Sequence, residues 1–133
     1  IVVNEHYQKG RSSSIIAGVL QIAKSDTDAF LVASVDQPRS VEMLRALRKA
    51  WVQERPSIVM PSYQRRSGHP PLFSSVLIAE ILAITEEKQG LRQVIRDFAG
   101  DRLFVNVDDP LALTNLNTRE DYELALRVAK DQA

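Results

Sequence analysis

Cysteine is absent from the 133 residues, and histidine occurs only at positions 6 and 69. Without thiols there is no disulfide, no thiolate nucleophile and no thiolate zinc site, and two histidines are too few for a histidine-based zinc cluster. Any metal must be bound through oxygen. Net charge is also absent: 17 Lys and Arg stand against 17 Asp and Glu, which argues against a broad electrostatic footprint on DNA or lipid. Neither a nucleic acid nor a membrane is expected as a partner. No apolar run approaches the ~20 residues of a membrane-spanning helix, and no basic-then-apolar leader opens the chain. The expected location is the cytoplasm. What is present, 44% hydrophobic and 26% charged residues, is the make-up of one globular domain. Arginine outnumbers lysine twelve to five, and arginine is the better fork for phosphate and carboxylate.

Hydrophobic periodicity predicts alternating strands and helices. Ile1 to Val3 is a β-branched run at the very start, read as a strand and as a cut end. Ser12, Ser13 and Ser14 offer N-caps for a helix whose Ile15, Ile16, Val19, Leu20, Ile22 and Ala23 form one stripe. Ala29 to Val35 is nearly continuous apolar sequence, the pattern of a strand buried on both faces, and it stops at Asp36-Gln37-Pro38. Ser40 can cap a helix from Val41 to Glu54, with Leu44, Leu47 and Trp51 on one face, closed by Pro56. Ser57 to Pro61 reads as a strand and residues 62–71 as a long polar loop. Val76 to Ile84 reads as helical, Gly90-Leu91-Arg92 opens a helix through Phe98, and Leu103 to Val107 is a strand turned by Asp108-Asp109-Pro110. Thr118 and Asp121 form a capping box before a last helix bearing Tyr122, Ala125, Leu126 and Ala129. This alternation predicts one α/β domain with a largely parallel sheet.

Ligands of such sheets sit beyond the carboxyl ends of the strands, so the loops that follow strands carry the candidates. Asp36 ends an apolar strand where a hard cation could be held, since Mg²⁺ takes one or two protein oxygens and fills its shell with water and phosphate. A loop cap before Ser40 is an equally good account of that Asp. Asn115 and Asn117 fall on one side of an extended segment with Leu116 on the other; an amide oxygen can complete a Mg²⁺ shell, but Asn before a helix is commonly a turn or cap residue. Arg65, Arg66 and His69 share the longest loop and suit an anionic acceptor, although loop arginines and a lone histidine are more often solvated. His6 is read only as a solvated residue. Gly10 and the serine triplet could form an anion-binding helix start, and Arg92 could reach a phosphate or face solvent.

Taken in order, these segments resemble the MobA-like nucleotidyltransferase family, whose members attach a nucleoside monophosphate to molybdopterin or similar phosphorylated acceptors. A strand ending in Asn, then a Gly and a Ser-Ser helix start, is similar to Val3-Asn4 with Gly10, Ser13, Ser14 and Gly18. The Asp-Gln-Pro landmark is matched by Asp36-Gln37-Pro38, the Gly-His-Pro loop and Leu-Phe pair by Gly68-His69-Pro70 with Leu72-Phe73, and Gly-x-Arg by Gly90-Leu91-Arg92. The closing Asp-x-Asp-Thr-Pro-Glu-Asp corresponds to residues 115–121, with asparagine at 115 and 117 for both leading aspartates.

The resemblance implies a Rossmann-like, mixed but mainly parallel sheet flanked by helices, of the nucleotide-diphospho-sugar transferase type. It implies a Mg²⁺-dependent transfer of CMP or GMP from CTP or GTP to an acceptor phosphate, with release of pyrophosphate. Gln37 favours the cytidylyl branch. By the same resemblance Asp36 and Asn117 hold the metal and are catalytic, Gly10, Ser13, Ser14, Gln37 and Pro38 lie at the nucleotide, and Gly68, His69 and Arg92 face the acceptor. A molybdoenzyme or chaperone is an expected further partner. The family's Gly-rich loop, Leu-Ala-Ala-Gly-x-Ser-x-Arg-Met-Gly, has no counterpart in residues 1–133. The chain is therefore expected to be roughly the C-terminal two-thirds of the family domain, with open edges where the rest would pack and little activity alone. A binding or regulatory domain of the same fold that has lost catalysis is the alternative.

Overall fold

The computed structural model describes residues 1–131. Its helices are α1 (Arg11–Ile22), α2 (Val41–Glu54), α3 (Ile78–Leu82), α4 (Leu91–Asp97) and α5 (Arg119–Asp131); its strands are β1 (Ala29–Leu31), β2 (Ile58–Tyr63), β3 (Arg66–Ser67), β4 (Leu72–Ser74) and β5 (Arg102–Asn106). The strands form one mixed sheet in the order β1-β4-β2-β3, with β5 also paired to β2. This is the expected α/β class. Among the described residues no helix is long and apolar enough to cross a membrane.

Local chemistry explains the boundaries of the longer helices. The Ser40 hydroxyl accepts from the Met43 amide at the start of α2, satisfying an amide with no partner inside the helix. Met43, Leu47 and Trp51 form its buried stripe, at helical spacing. Arg55 ends it in the left-handed region, with its guanidinium carbon 4.1 Å from the Trp51 ring centroid. At α5 the capping box is present: Asp121 Oδ2 accepts from the Thr118 amide at 2.9 Å, and Thr118 Oγ1 accepts from the Asp121 amide at 3.1 Å. The Thr118 hydroxyl and amide hold the Asp121 carboxyl below its usual range.

Several expectations are corrected. Residues 1–3 carry no strand assignment, because a strand requires a ladder partner as well as β-branched side chains. The strand expected over 29–35 shrinks to Ala29–Leu31, with Phe30 buried and Leu31 and Val35 exposed; its partner β4 is itself three residues long. The serines are not caps of α1: Gly10 is the N-cap, at φ 101°, and Ser12 is buried inside the first turn. Residues 62–71 are not a plain loop. Ser62 pairs with Ser67 and Tyr63 with Arg66 in an antiparallel hairpin, whose two turn residues, Gln64 and Arg65, both have positive φ. That backbone matches the twist of the strands but usually recruits Asn and Gly, so periodicity and composition both miss it. In α5 only Ala125 is buried, while Tyr122 and Leu126 are exposed.

The chain gathers into two units. The first comprises residues 1–30, 56–58 and 73–102, with a core of Val19, Ile58, Phe73, Leu77 and Ile81 and a tilted Phe30–Phe73 ring pair at 6.0 Å. The second comprises residues 31–55, 59–72 and 103–133. There Met43, Val107, Leu111, Ala112 and Ala125 pack together, joined by the partly buried Tyr63, Leu116 and Val128. Burying each large apolar side chain of these kinds is worth ~1.5–3 kcal/mol.

Candidate functional site

In the second unit, three segments that are far apart in sequence meet. The Leu116 amide donates to the Asp36 carbonyl at 2.6 Å, and the Gln37 side-chain amide donates to Asn115 Oδ1 at 2.9 Å across 78 residues. Those two bonds lay the Asp36-Gln37 segment along residues 115–117. Leu116 turns toward the core cluster while Asn115 and Asn117 stay exposed, the alternation expected of an extended segment. The Asp36 carboxylate, half-buried, and the Asn117 side-chain amide carry no hydrogen bond among the described residues, whereas Asn115 is engaged by Gln37.

A turn over Pro110–Leu113 links this pair to the Gly68-His69 segment. The His69 amide donates to the Ala112 carbonyl at 2.8 Å, and the Gly68 amide to the Pro61 carbonyl at 2.8 Å. A Cβ on Gly68 would stand 2.5 Å from Ala112 O, so only glycine permits this approach. The His69 side chain is exposed, and the His69–Pro70 peptide is cis. Asp109 is buried, only 6% exposed; its Oδ1 accepts from the Leu111 amide at 2.9 Å and its Oδ2 from the Ser40 hydroxyl. Both oxygens serve structure. A cavity of about 420 Å³ adjoins it, lined by Ser40, Glu42, Met43, Asn106 and Asp108 among others.

Arg39, passed over in the sequence, lies at the middle of this arrangement. Its Nη1 donates to the carbonyls of Leu111 at 2.9 Å, Thr114 at 3.5 Å and Pro38. Burial lowers its pKa to about 10, against the raising effect of Asp109 and then Asp36. The only local sign was its place directly after Asp36-Gln37-Pro38.

Arg65 and Arg66 are exposed at the β2–β3 hairpin of the second unit; the other candidates lie in the first unit. The Asn4 side-chain amide donates to Ser13 Oγ and Ser14 Oγ, each at 2.9 Å, and Ser13 Oγ donates to the Gly10 carbonyl at 2.7 Å. The structure thus brings Asn4, Gly10, Ser13 and Ser14 together. The first turn of α1 is itself capped from afar: Glu86 Oε1 accepts from the Ser12 amide at 2.5 Å, across 74 residues. No local pattern announces that bond. Gly90, at φ 55°, leaves 2.9 Å between a would-be Cβ and Ser12 Oγ, and Arg92 follows it, exposed, on α4.

The Ser12 amide, and after it the Ser12 hydroxyl, hold the Glu86 carboxyl below its usual value of 4.5. A carboxyl depressed on folding contributes stability that is present above the unfolded value and lost as pH falls through the folded one. The protection factor of the Ser12 amide, its exchange rate taken relative to the intrinsic rate at each pH, is therefore expected to fall as pH drops below the unfolded value of 4.5, and Glu86→Gln should abolish that acid response. A Ser12 protection factor in the wild type that does not change with pH would refute the cap.

The donor set bears on metal binding. Among the described residues no three His, Cys, Asp or Glu side chains gather as a metal cage. One carboxylate and neutral amide oxygens fit a hard cation that takes few protein ligands and completes its shell with water and phosphate.

Solved structures share this fold. The homolog of Mycobacterium tuberculosis Rv0371c from Mycobacterium sp. strain JC1 is 20% identical with a TM-score of 0.66, covering 90% of this chain and 59% of its own. Rv0371c of M. tuberculosis H37Rv in complex with manganese is 19% identical with a TM-score of 0.62, covering 84% and 59%. Molybdopterin-guanine dinucleotide biosynthesis protein A from Archaeoglobus fulgidus is 18% identical with a TM-score of 0.59, covering 96% and 67%. The chain thus spans somewhat under three fifths of the mycobacterial proteins. No curated protein matches it.

Identity at this level establishes an α/β fold of the kind these proteins share. The profile of the MobA-like NTP transferase domain matches residues 1–107, and the chain belongs to that family, one of nucleotidyltransferases.

Proposed function

We propose that this domain works in a nucleotidyltransferase that takes CTP or GTP with Mg²⁺ and passes CMP or GMP to a phosphorylated acceptor of the molybdopterin type. An acceptor phosphate oxygen forms a bond to the α-phosphorus of the nucleotide as the bond to pyrophosphate breaks, and pyrophosphate leaves. Such a transfer needs alignment and charge neutralisation more than covalent help from the protein. The metal, when bound, supplies that neutralisation. Asp36 and Asn117 would hold it, Gly10, Ser13, Ser14, Gln37 and Pro38 would serve the nucleotide, and Gly68, His69 and Arg92 the acceptor. A cytoplasmic location and delivery to a molybdoenzyme or its chaperone belong to the same proposal.

The observation that supports this reading most directly is the meeting of Asp36-Gln37 with Asn115-Leu116-Asn117 through the 2.6 Å and 2.9 Å bonds. It leaves the Asp36 carboxylate and the Asn117 side-chain amide on two tied segments, neither of them hydrogen-bonded among the described residues. The neutral amide weakens that metal position relative to a carboxylate, which favours a second reading, a nucleotide-binding domain without catalysis.

Calorimetric titration with CTP and then GTP, with and without Mg²⁺, tests the nucleotide site. Binding that requires the metal and prefers one base is the expected result; no binding by the folded chain would reject a nucleotide site within these residues. Pyrophosphate release on adding a phosphorylated pterin acceptor to the intact protein separates transfer from binding alone.

A further inference from the structure

We propose that Arg39 is a positioning residue: its guanidinium locks the 111–114 turn to the 36–38 segment and thereby sets the distance between Asp36 and Asn117. The proposal rests on the reading of those two residues as metal ligands. Arg39 sits three residues after Asp36, and its Nη1 reaches the carbonyls of Pro38, Leu111 and Thr114. Thr114 directly precedes Asn115, whose side chain Gln37 grips, and Leu116 follows with its bond to the Asp36 carbonyl. Arg39 therefore holds the same two segments that the Gln37 and Leu116 bonds hold, just after Gln37 on one and just before Asn115 on the other.

The turn it grips is also the support of the Gly68-His69 segment. Leu111 is held at its amide by Asp109 and at its carbonyl by Arg39, and the next carbonyl, that of Ala112, receives the His69 amide. One side chain thus ties together the candidate metal ligands and the backbone that carries the candidate acceptor loop.

Stability alone is a poor reason for this arginine. Its Nε and Nη2 are buried without a hydrogen-bond partner among the described residues. A desolvated guanidinium with two unused N–H groups is expensive to bury, and apolar replacements of buried charges are often tolerated. What an apolar side chain cannot do is collect three carbonyls from two segments. Lysine keeps the charge and a donor nitrogen, but on a shorter stem ending in a tetrahedral ammonium, so it is expected to reach the same carbonyls only in part. The side chain does not contact substrate in this account; its effect reaches the site through the backbone.

The test compares wild type, Arg39→Met, Arg39→Lys and Asp36→Ala. Hydrogen exchange is followed at the Leu116 amide, with the Ser74 amide, bonded to the Ser57 carbonyl, as the reference for global opening. Mn²⁺ binding in the presence of CTP or GTP is followed by electron paramagnetic resonance. Arg39→Met should lose Leu116 protection while Ser74 stays protected, and should raise the half-saturating Mn²⁺ concentration ~10-fold, the size of effect of residues that orient metal ligands. Arg39→Lys should fall between the two. Unchanged Leu116 exchange in Arg39→Met, or wild-type Mn²⁺ affinity despite faster exchange, overturns the proposal. Should Arg39→Met fail to fold, Arg39→Lys carries the same comparison. Failure of the metal-site reading looks different: wild type and Asp36→Ala would then bind Mn²⁺ alike, and Leu116 exchange would still decide whether Arg39 holds the two segments in register.

Discussion

Asp36→Ala is expected to lower metal-dependent nucleotidyl transfer by an intact transferase carrying this sequence by ~10²–10³-fold, the range seen when one preorganised electrostatic contact to a reacting centre is removed. The fold should survive. The bond that Asp36 contributes to the structure runs from the Leu116 amide to its backbone carbonyl, which alanine retains, and its carboxylate accepts no hydrogen bond among the described residues. Loss of the carboxylate removes one of the two charges that raise the Arg39 pKa, and the smaller of them. A change in stability within ~0.5 kcal/mol is expected, as for substitutions that break no buried partnership. Pyrophosphate release and thermal unfolding, measured on the same preparation, check both halves. Wild-type rates would remove Asp36 from the metal site; a large loss of stability would mean that the carboxylate has a structural task.

Gly68→Ala should behave in the opposite way, with stability changing first. Its new methyl group would stand 2.5 Å from Ala112 O and 3.0 Å from Ala112 C. These are backbone atoms of a turn already held by Asp109 and Arg39, so the loop must move instead. Overpacking of this kind costs ~1–3 kcal/mol, and loss of the His69 amide bond to Ala112 adds ~0.5–1.5 kcal/mol. The melting temperature should fall by several degrees. In the transfer reaction the KM for the acceptor should rise more than that for the nucleotide, because the displaced segment carries His69. An unaltered melting temperature would show that the loop yields without cost.

Both predictions depend on residues the sequence presented only as separate landmarks. Asp36 and Asn117 were legible as oxygen donors after extended segments, and the absence of cysteine together with only two histidines already restricted any metal to oxygen. That Asn115 is engaged while Asn117 is not was illegible, because the partner, Gln37, lies 78 residues away. The serine triplet suits a cap by residue type, but the N-cap of α1 is Gly10 and the Ser12 amide donates to Glu86. Capping preference is local, and a carboxylate delivered from another element overrides it.

The amino-acid sequence by itself determined the α/β class, the Ser40 cap of α2 and the Leu47 and Trp51 of its stripe, whose third buried member is Met43 rather than the expected Leu44, the capping box of α5 and the order of the landmarks that mark the family. These depend on neighbours within a few residues: helical periodicity, a hydroxyl three residues before an amide, a proline after a helix. Only the tertiary structure decided how far each strand extends, since a strand persists only where its ladder partner does, as β1 beside three-residue β4 demonstrates. It also decided that residues 64–65 turn a hairpin and that Asp109 is a buried cap. Arg39 became a tie between distant segments for the same reason: hydrogen bonds to backbone carbonyls leave no trace in the identity of the residues that supply them.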